Sequence, residues 1–286
     1  MIGRRSLALG ATVILAGARG ARAAAADLPA ALAQIEAGSG GRLGVAVLDT
    51  GTGLRAAHRG GERFAMCSTF KLALAAAILA RADAGRDSLD RRIAIPRQLP
   101  DYSPVTRSRA GRDMALAELC AAATTLSDNG AANLLLPVLG GPAGLTAWLR
   151  GIGDPTTRLD RMEPALNVVP PGGEQDTTTP EAMLADLQAL LLGSVLSAPS
   201  RAQLLGWMLD CRTGDTRLKA GLPAGWRIGD KTGTWNPGTA NDIAILWPSG
   251  RPPVLVTAYL TESRASAARN NATLAAVGRA IATAIG

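Results

Sequence analysis

The sequence predicts an α/β fold in which one antiparallel sheet, flanked by helices and built from both ends of the chain, carries an inserted all-helical lobe. Strand-like runs lie near the start, at 42–58, and near the end, within 225–262. Between about Ser68 and Cys211 the apolar residues mostly follow a helical pattern. Strands at both ends that enclose a helical middle favour two lobes with a cleft between them, where ligands commonly bind.

The strand runs are bounded by turn residues. Residues 42–58 contain two apolar runs separated by Gly, Asp and Thr, a pattern typical of two strands joined by a turn. The segment Pro-Ser-Gly-Arg-Pro-Pro at 248–253 predicts the last turn between the C-terminal strands. A helical pattern over 265–285 then closes the chain.

These patterns predict the domain boundaries. We expect the α/β lobe to comprise 27–60 and 212–286, and the all-α lobe to comprise 61–211. The all-α lobe contains a loop at 154–179 that has many Pro and Gly residues and no sustained period. A loop of this length inside a compact domain is usually functional or disordered.

Residues 1–23 have the pattern of a signal peptide. A basic start is followed by a mildly apolar middle and by small residues around a cleavage site after Ala23. The pair Arg4-Arg5 followed by Ser-Leu is similar to a twin-arginine signal. The apolar middle is short and rich in Gly and Ala, which disfavours a membrane anchor. We therefore predict an exported protein, periplasmic or secreted, with no membrane anchor after cleavage.

Composition and charge argue against several classes of partner. The formal net charge is +7, but four arginines precede the first acid, and the rest of the chain carries +3. Aromatic residues make up 3% of the chain, too few for a surface that stacks nucleic acid bases. The single histidine, His58, excludes a metal site built on histidines, and we expect it at the surface. We predict no nucleic-acid partner, no metal and no cofactor.

The segment 64–85 places a serine and a lysine three residues apart at the start of an Ala/Leu-rich helical run. On a helix, Ser68 and Lys71 would share a face. A serine hydroxyl becomes an effective nucleophile when a neighbouring base takes its proton, and a lysine serves as that base only when its pKa is lowered. The same pattern also fits an ordinary helix cap followed by a surface lysine.

Two further segments are ambiguous when each is taken alone. Residues 127–129 read Ser-Asp-Asn and fall between two helical runs, where such residues often cap helices. Residues 231–234 read Lys-Thr-Gly-Thr, and a lysine and two hydroxyls that alternate along a strand edge can bind a carboxylate. Turns rich in Thr and Gly are common, so this segment also fits a plain turn.

Together and in this order, the three segments resemble the Ser-x-x-Lys, Ser-Asp-Asn and Lys-Thr-Gly motifs of class A serine β-lactamases and penicillin-binding proteins. The resemblance covers the chain from about residue 27 to the end. It implies a two-lobed fold and hydrolysis of the β-lactam amide of penicillins and cephalosporins through an acyl-serine, which confers antibiotic resistance. Its partners would be β-lactam antibiotics and a catalytic water, and we expect a monomer.

A fourth segment separates the two kinds of enzyme. Residues 158–167 carry Glu163 and Asn167. Penicillin-binding peptidases look similar in the first three motifs, but they lack this carboxylate and hydrolyse the acyl-serine slowly. A carboxylate with an amide four residues on can hold and activate a water, which favours a β-lactamase. A D-Ala-D-Ala peptidase or transpeptidase, a non-enzymatic β-lactam sensor domain and an esterase remain as alternatives.

The resemblance implies a catalytic role for five matching residues. Ser68 would be the nucleophile, and its amide would form the oxyanion hole with the amide of Thr234. Lys71 and Glu163 are the two candidate bases for acylation, and the sequence leaves the choice between them open. Glu163 would also activate the water for deacylation, and Ser127 would pass a proton to the leaving lactam nitrogen.

The remaining matches would bind the substrate or the water. They are Tyr102 at the cleft edge, Asn129 at the side-chain amide, Asn167 at the water, and Arg217, Lys231, Thr232, Gly233 and Thr234 around the carboxylate. Many relatives carry a carboxylate-binding arginine on the strand after Lys-Thr-Gly, but that strand reads Thr-Ala-Asn-Asp-Ile-Ala here. A second branch supplies the arginine from the segment before Lys-Thr-Gly, which nominates Arg217. A solvent-facing arginine is the alternative.

The resemblance also implies two features of the long loop. Arg161 and Asp176 match a salt bridge that joins the two ends of the loop. The bond Glu163-Pro164 matches a cis peptide, which a proline bond adopts at low cost.

The cysteines depart from the disulfide patterns of the relatives. Some relatives join the residue before the serine to a cysteine just after Lys-Thr-Gly-Thr, but Trp235 occupies that second position here. Others join the position of Cys120 to one that is Ala75 here. We therefore expect three free thiols, at Cys67, Cys120 and Cys211.

Overall fold

The computed structural model describes residues 27–286, and the predicted signal peptide at 1–23 lies outside the described residues. Its strands, in chain order, are β1 (Arg42–Asp49), β2 (Arg55–His58), β3 (Phe64–Ala65), β4 (Arg92–Ala94), β5 (Asp113–Ala115), β6 (Thr177–Thr178), β7 (Arg227–Trp235), β8 (Thr239–Trp247) and β9 (Val254–Thr261). Its helices are α1 (27–39), α2 (Phe70–Asp83), α3 (Pro104–Ser108), α4 (Leu116–Thr125), α5 (Asn129–Leu135), α6 (Pro142–Gly151), α7 (Pro180–Leu191), α8 (Ala198–Leu209) and α9 (Ala267–Ile285). Short 3-10 turns cover Cys67–Thr69, Leu136–Leu139, Ala165–Asn167 and Leu218–Gly221.

Five strands form the central antiparallel sheet, in the order β2-β1-β9-β8-β7. β1 pairs along its whole length with β9, so that Arg42 lies opposite Thr261 and Asp49 lies opposite Val254. β8 connects β9 to β7. The predicted sheet built from both ends of the chain is therefore confirmed, and β7 forms one of its edges.

Both faces of this sheet are covered, which explains the continuous apolar run in β1. Leu43, Val45 and Val47 belong to a core shared with α1 and α9, whereas Ala46 and Leu48 belong to the core of the helical side. Successive side chains of a strand point to opposite faces. A strand that is buried on both faces therefore shows no alternation of apolar and polar residues.

Helix α2 is the centre of the helical lobe. Ten consecutive residues, Phe70–Leu79, are buried because α2 packs against α4, α5, α6 and α8. A helix that is apolar all round is typical of such an enclosed position. This packing takes Lys71 into the interior and leaves Ser68, on the 3-10 turn just before α2, only partly covered.

Two short sheets that the sequence did not predict lie within 61–211. β3 pairs with β6, and β4 pairs with β5, over two and three residues respectively. Strands this short cannot display an alternating pattern. The β3–β6 pair joins the segment before Ser68 to the end of the loop at 154–179, so it positions both of them.

His58 ends β2, as the strand pattern predicted, and it is half-buried rather than a fully exposed surface residue. Its side chain is 16% exposed, and its Nε2 lies 2.8 Å from Oε2 of Glu36 on α1. Arg59 Nε donates to Oε1 of the same carboxylate at 2.7 Å. Glu36 therefore holds both side chains against α1, a pairing between distant elements that leaves no signal in the local sequence.

Among residues 27–286, no single helix is long and apolar enough to cross a membrane. One bent pair, Asn129–Leu139 with Pro142–Gly151, reaches the required length and apolarity only when its two parts are taken together, and they meet at 66°. Gly140 and Gly141 lie at the bend with φ of 91° and 83°, values that glycine adopts readily.

A buried pair of carboxyl groups lies where the long loop begins. Asp154 Oδ1 accepts the backbone N–H groups of Thr156 and Thr157, at 2.7 and 3.0 Å. Asp186 on α7 is only 3% exposed, and burial together with the neighbouring Asp154 raises its pKa to about 9. Burial acts in the same direction on Asp154, but the hydrogen bonds from Thr157 and Thr156 outweigh it and lower the pKa of that carboxyl. The pair therefore holds one proton, on Asp186.

This shared proton predicts that the variant Asp186→Asn is more stable than the wild type above neutral pH. Between about pH 4 and pH 9 the folded chain keeps a proton that the unfolded chain releases, so the contribution of Asp186 to stability falls as pH rises. An amide can donate to Asp154 as the protonated acid does, without this penalty. We expect a gain of several kcal/mol in the free energy of unfolding at pH 8, smaller by about 1.4 kcal/mol for each pH unit below it.

Chemical denaturation across that pH range measures the effect. Asp90→Asn is the matched control, since it makes the same chemical change at an exposed turn position. A gain of the same size in both variants, or a gain for Asp186→Asn that does not depend on pH, would contradict the shared proton.

Candidate active site

The cleft between the sheet and the helical lobe contains a cavity of about 680 Å³. Segments from both sides line it, and the predicted site residues among them are Ser68, Tyr102, Ser127, Asn129, Glu163, Asn167, Arg217, Thr232 and Thr234. Lys71, Lys231 and Gly233 lie directly behind this lining, in hydrogen-bonding contact with Ser68, Ser127 and Arg217 respectively. The structure thus brings every residue of the predicted site to one place.

Lys71 is the hub of the site. Its Nζ donates to Ser68 Oγ at 2.8 Å, to the backbone oxygen of Ser127 at 2.9 Å and to Asn129 Oδ1 at 2.5 Å. Glu163 Oε1 lies 2.9 Å from the same Nζ, and both side chains are almost completely buried. The alternative of a surface lysine after a helix cap is therefore wrong.

The two buried lysines of the site have lowered pKa values. Burial is the main cause of the lowered pKa of Lys71, and the negative charge of Glu163 acts in the opposite direction. Burial, together with the positive charges of Lys71 and Arg217, lowers the pKa of Lys231 to about 8. At both positions, therefore, the neutral amine forms at a lower pH than it does for a solvated lysine.

Glu163 faces the serine from the long loop. Ser68 Oγ lies 3.3 Å from Glu163 Oε1, and Asn167 Nδ2 donates to Oε2 at 2.6 Å. Asn167 Oδ1 is buried and has no hydrogen-bond partner among the described residues. Carboxylate, hydroxyl and free amide oxygen together form a polar corner that suits a water molecule.

Asn133 holds the backbone of Glu163 in place, and the sequence reading missed it. Its Oδ1 accepts the N–H of Glu163 at 3.0 Å, and its Nδ2 donates to the carbonyl of Glu163 at 2.8 Å. Asn133 lies on α5 one turn after Asn129, so it is on the same helix face. That spacing from a predicted site residue was the signal that could have found it.

Ser127 lies between the two lysines. Its Oγ accepts from Lys231 Nζ at 3.0 Å, while its carbonyl accepts from Lys71. Its φ of 57° is unusual for a residue with a side chain. Asp128 beside it caps α5 by accepting from Ala131 N at 2.8 Å. Within this segment, Asp128 is therefore the helix cap, while Ser127 and Asn129 line the cleft.

Arg217 is buried, with 6% exposure, and the alternative of a solvent-facing arginine is therefore wrong. Its Nη2 donates to Thr234 Oγ1 at 2.5 Å, and its Nη1 donates to the carbonyls of Gly233 and Asn241 at 2.8 and 2.6 Å. Asn271 on α9 accepts from its Nε at 3.1 Å. The guanidinium thus lies against β7 next to the hydroxyl predicted to face a carboxylate.

The strand β7 approaches the segment before Ser68 very closely. A side chain at Gly233 would place its Cβ 2.6 Å from the carbonyl oxygen of Met66, so this position requires glycine. Asn241 on β8 joins the same two segments, since its Nδ2 donates to the carbonyls of Ala65 and Met66 at 2.8 and 3.1 Å. In the sequence, the feature that could have identified Asn241 is that it is a polar residue within an apolar, buried strand.

The ends of the long loop are joined as predicted. Arg161 Nε donates to Asp176 Oδ2 at 2.6 Å, and Asp176 Oδ1 accepts the N–H groups of Asp160 and Arg161 at 2.8 and 2.9 Å. The bond Glu163-Pro164 is cis, as expected. Tyr102 lies at the cavity rim with 59% exposure.

The three cysteines are free and buried, which confirms the expectation of three free thiols. Cys67 precedes the serine and has a φ of 46°, and burial together with the charge of Glu163 raises the pKa of its thiol. Within residues 27–286, no group of three or more His, Cys, Asp or Glu side chains is placed to hold a metal ion.

This fold and this site have the arrangement expected of serine β-lactamases and penicillin-binding proteins. A family model described as the β-lactamase enzyme family matches residues 27–285. β-Lactamase L2 of Stenotrophomonas maltophilia is 48% identical over 93% of this chain and 90% of its own, and β-lactamase AST-1 of Nocardia asteroides is 48% identical over 89% and 82%. The solved structure of an ancestral (GNCA) class A β-lactamase has 62% identity and a TM-score of 0.88, over 89% of this chain and 98% of that one.

The chain therefore belongs to the β-lactamase enzyme family and is a class A serine β-lactamase. It hydrolyses β-lactams, and this reaction provides resistance to β-lactam antibiotics. The predicted two-lobed fold and the predicted activity are both confirmed.

Proposed function

We propose that Ser68 opens the β-lactam ring of penicillins and cephalosporins and forms an acyl-enzyme that Glu163 helps water to hydrolyse. The observation that carries this proposal is the contact of one buried ammonium group with both partners. Lys71 Nζ lies 2.8 Å from Ser68 Oγ and 2.9 Å from Glu163 Oε1. Glu163 Oε1 also lies 3.3 Å from Ser68 Oγ, so the nucleophile has two candidate bases within reach, Glu163 and the neutral form of Lys71.

In acylation, Ser68 Oγ attacks the lactam carbonyl carbon, and its proton passes to Lys71 or to Glu163. The carbonyl oxygen becomes an oxyanion that accepts from the backbone N–H groups of Ser68 and Thr234. The C–N bond of the ring then breaks, and the nitrogen takes a proton from Ser127 Oγ. The contact of Ser127 Oγ with Lys231 Nζ supports its role in this transfer, because this lysine can help to replace the proton.

In deacylation, a water attacks the ester and Glu163 takes its proton. The buried and unpartnered Oδ1 of Asn167, next to the Glu163 carboxylate, supports the placement of this water. The water oxygen bonds to the acyl carbon, the ester bond breaks, and the proton returns to Ser68 Oγ. The product is the ring-opened acid, and no cofactor or metal takes part in these steps.

The rest of the site binds the substrate. Lys231, Thr232 and Thr234, with Arg217 behind Thr234, offer donors for the carboxylate that penicillins and cephalosporins carry next to the ring nitrogen. The main chain of Gly233 belongs to the same edge of β7. Asn129 lies where it can meet the side-chain amide of the drug, and Tyr102 borders the entrance.

The variant Glu163→Ala tests the proposed deacylation. We expect it to form the acyl-enzyme with a penicillin but to lose turnover by roughly 10²–10⁴-fold, the usual contribution of a general base. Mass spectrometry of the trapped acyl-enzyme and steady-state rates with a penicillin, a cephalosporin and a carbapenem measure the two steps. Glu174→Ala, an exposed acid of the same loop, is the control.

Unimpaired turnover by Glu163→Ala would remove Glu163 from the mechanism. A wild-type protein that accumulates a stable penicilloyl-enzyme without turnover would indicate a penicillin-binding peptidase instead. Ester hydrolysis that exceeds β-lactam hydrolysis would indicate an esterase.

We also propose that residues 1–23 direct export and that the mature enzyme is a monomer, periplasmic or secreted, without a membrane anchor. The signal-like pattern of those residues and the typical export of class A β-lactamases support this. The exported protein should begin at Ala24, and a double variant Arg4→Lys, Arg5→Lys should remain in the cytoplasm. N-terminal sequencing of the fractions tests this; an exported chain that begins at Met1 would refute it.

A further inference from the structure

A chain of polar side chains connects the cleft to a buried acid pair behind β7. Thr232 Oγ1, which lines the cavity, lies 2.6 Å from Thr213 Oγ1. Thr213 Oγ1 lies 3.3 Å from Cys211 Sγ, and Cys211 Sγ lies 3.5 Å from Asp230 Oδ2. The chain therefore runs from Asp230 to Thr232 through two side chains of the loop after α8 that have no part in the mechanism above.

The row of hydrogen-bonded side chains ends at Asp230, whose carboxyl group accepts hydrogen bonds. Asp242 on β8 and Asp230 on β7 lie on the same face of the sheet, in adjacent strands. Burial raises the pKa of both carboxyls, and the charge of Asp230 raises that of Asp242 further, so Asp242 holds a proton more firmly than Asp230 does. Asp230 Oδ2 accepts the proton of the Cys211 thiol, at an S···O distance of 3.5 Å.

The thiol of Cys211 is consequently a donor. Burial and the charge of Asp230 raise its pKa, so it keeps its proton, and the carboxylate is the strongest acceptor within its reach. Thr213 is left with two acceptors for its own proton, the sulfur of Cys211 and the oxygen of Thr232. Sulfur is a weaker acceptor than a hydroxyl oxygen, which favours donation from Thr213 to Thr232.

This direction matters for the substrate. A hydroxyl group has one proton, and a Thr232 that accepts from Thr213 has its proton free for the cleft. If the hydrogen bond ran from Thr232 to Thr213, Thr232 would donate its only proton to Thr213 and present only lone pairs to an anion. The carboxylate of a β-lactam needs donors, so only the first direction suits it.

We propose that Thr213 is a positioning residue that accounts for part of the enzyme's preference for substrates with a free carboxylate, and that Cys211 and Asp230 set the direction of its hydrogen bond. The inference rests on the proposed role of Thr232 in binding that carboxylate. Thr213 acts by keeping the Thr232 hydroxyl oriented as a donor before the substrate arrives, which reduces the cost of ordering it on binding.

The packing of the loop supports this assignment. Gly214 follows Thr213, and a Cβ at Gly214 would lie only 1.8 Å from Asp230 Oδ2. Any larger residue would push the loop away from the carboxylate and break the contact of Cys211 with it. The backbone between Cys211 and Arg217 is thus held against Asp230 at the distance that the chain of hydrogen bonds requires.

The test compares a penicillin with its methyl ester, which lacks the negative charge. The variants Thr213→Val, Thr213→Ser, Cys211→Ala and Thr232→Val are measured as kcat/KM on both compounds, with thermal unfolding as a check of the fold. We expect Thr213→Val to lower kcat/KM for the free acid roughly five-fold, the effect of one hydrogen bond, and to leave the ester nearly unchanged. Thr213→Ser should restore the wild-type preference, and Cys211→Ala should give a smaller loss on the acid alone.

The results for the variants test the roles of Thr213, Thr232 and Cys211 separately. Equal losses on acid and ester in Thr213→Val, or no loss on either, would overturn the inference, provided that Thr232→Val weakens the acid alone. If Thr232→Val does not lower kcat/KM for the acid more than for the ester, the proposed role of Thr232 fails and this inference fails with it. Wild-type values for Cys211→Ala would remove Cys211 from the proposal while leaving Thr213 in it.

Discussion

The structure depends on one constraint, the burial of the Lys71 ammonium group. Removing such a charge from water costs several kcal/mol, and the cost is offset only when every proton of the group finds a partner. Here those partners come from three separate segments: Ser68 before α2, the Ser127 carbonyl and Asn129 at the start of α5, and Glu163 on the long loop. The lysine can stay inside only if all three segments meet around it, and where they meet is the candidate active site.

Two sets of contacts hold these three segments around Lys71. On the loop side, Arg161 and Asp176 join the loop ends, and Asn133 holds the backbone of Glu163 from α5. On the sheet side, Asn241 bonds to the chain before Ser68, and the missing side chain of Gly233 lets β7 approach it. None of these residues needs to touch a substrate. They set the positions of the groups that do, which agrees with a site whose catalysis relies on preorganised dipoles and charges.

The sequence predicted most of the fold, and the residues that it proposed for the site lie together around one cleft, because three short motifs in a set order carry far more information than any of them alone. The long strands and α2 were also predictable, since their apolar runs are long enough to show a pattern. The misses have physical reasons. β3 to β6 are too short for periodicity, His58 is held by an acid 22 residues away, and Asp186 has a raised pKa only because folding brings Asp154 beside it. Asn133 and Asn241 each left a weak local signal, but their partners, like the partner of Thr213, lie in distant segments that meet only in the folded chain.

The pKa of Lys71 is the most direct test of this constraint, and it can be measured by NMR of lysine labelled with ¹³C at the side chain. Burial should hold this pKa below the ordinary value of 10.5. Because Glu163 opposes the effect of burial, removal of its charge in Glu163→Gln should lower the pKa of Lys71 further. A wild-type Lys71 that titrates at 10.5 or above, or a pKa that rises in Glu163→Gln, would contradict the claim that burial of this lysine, balanced by Glu163, governs the site.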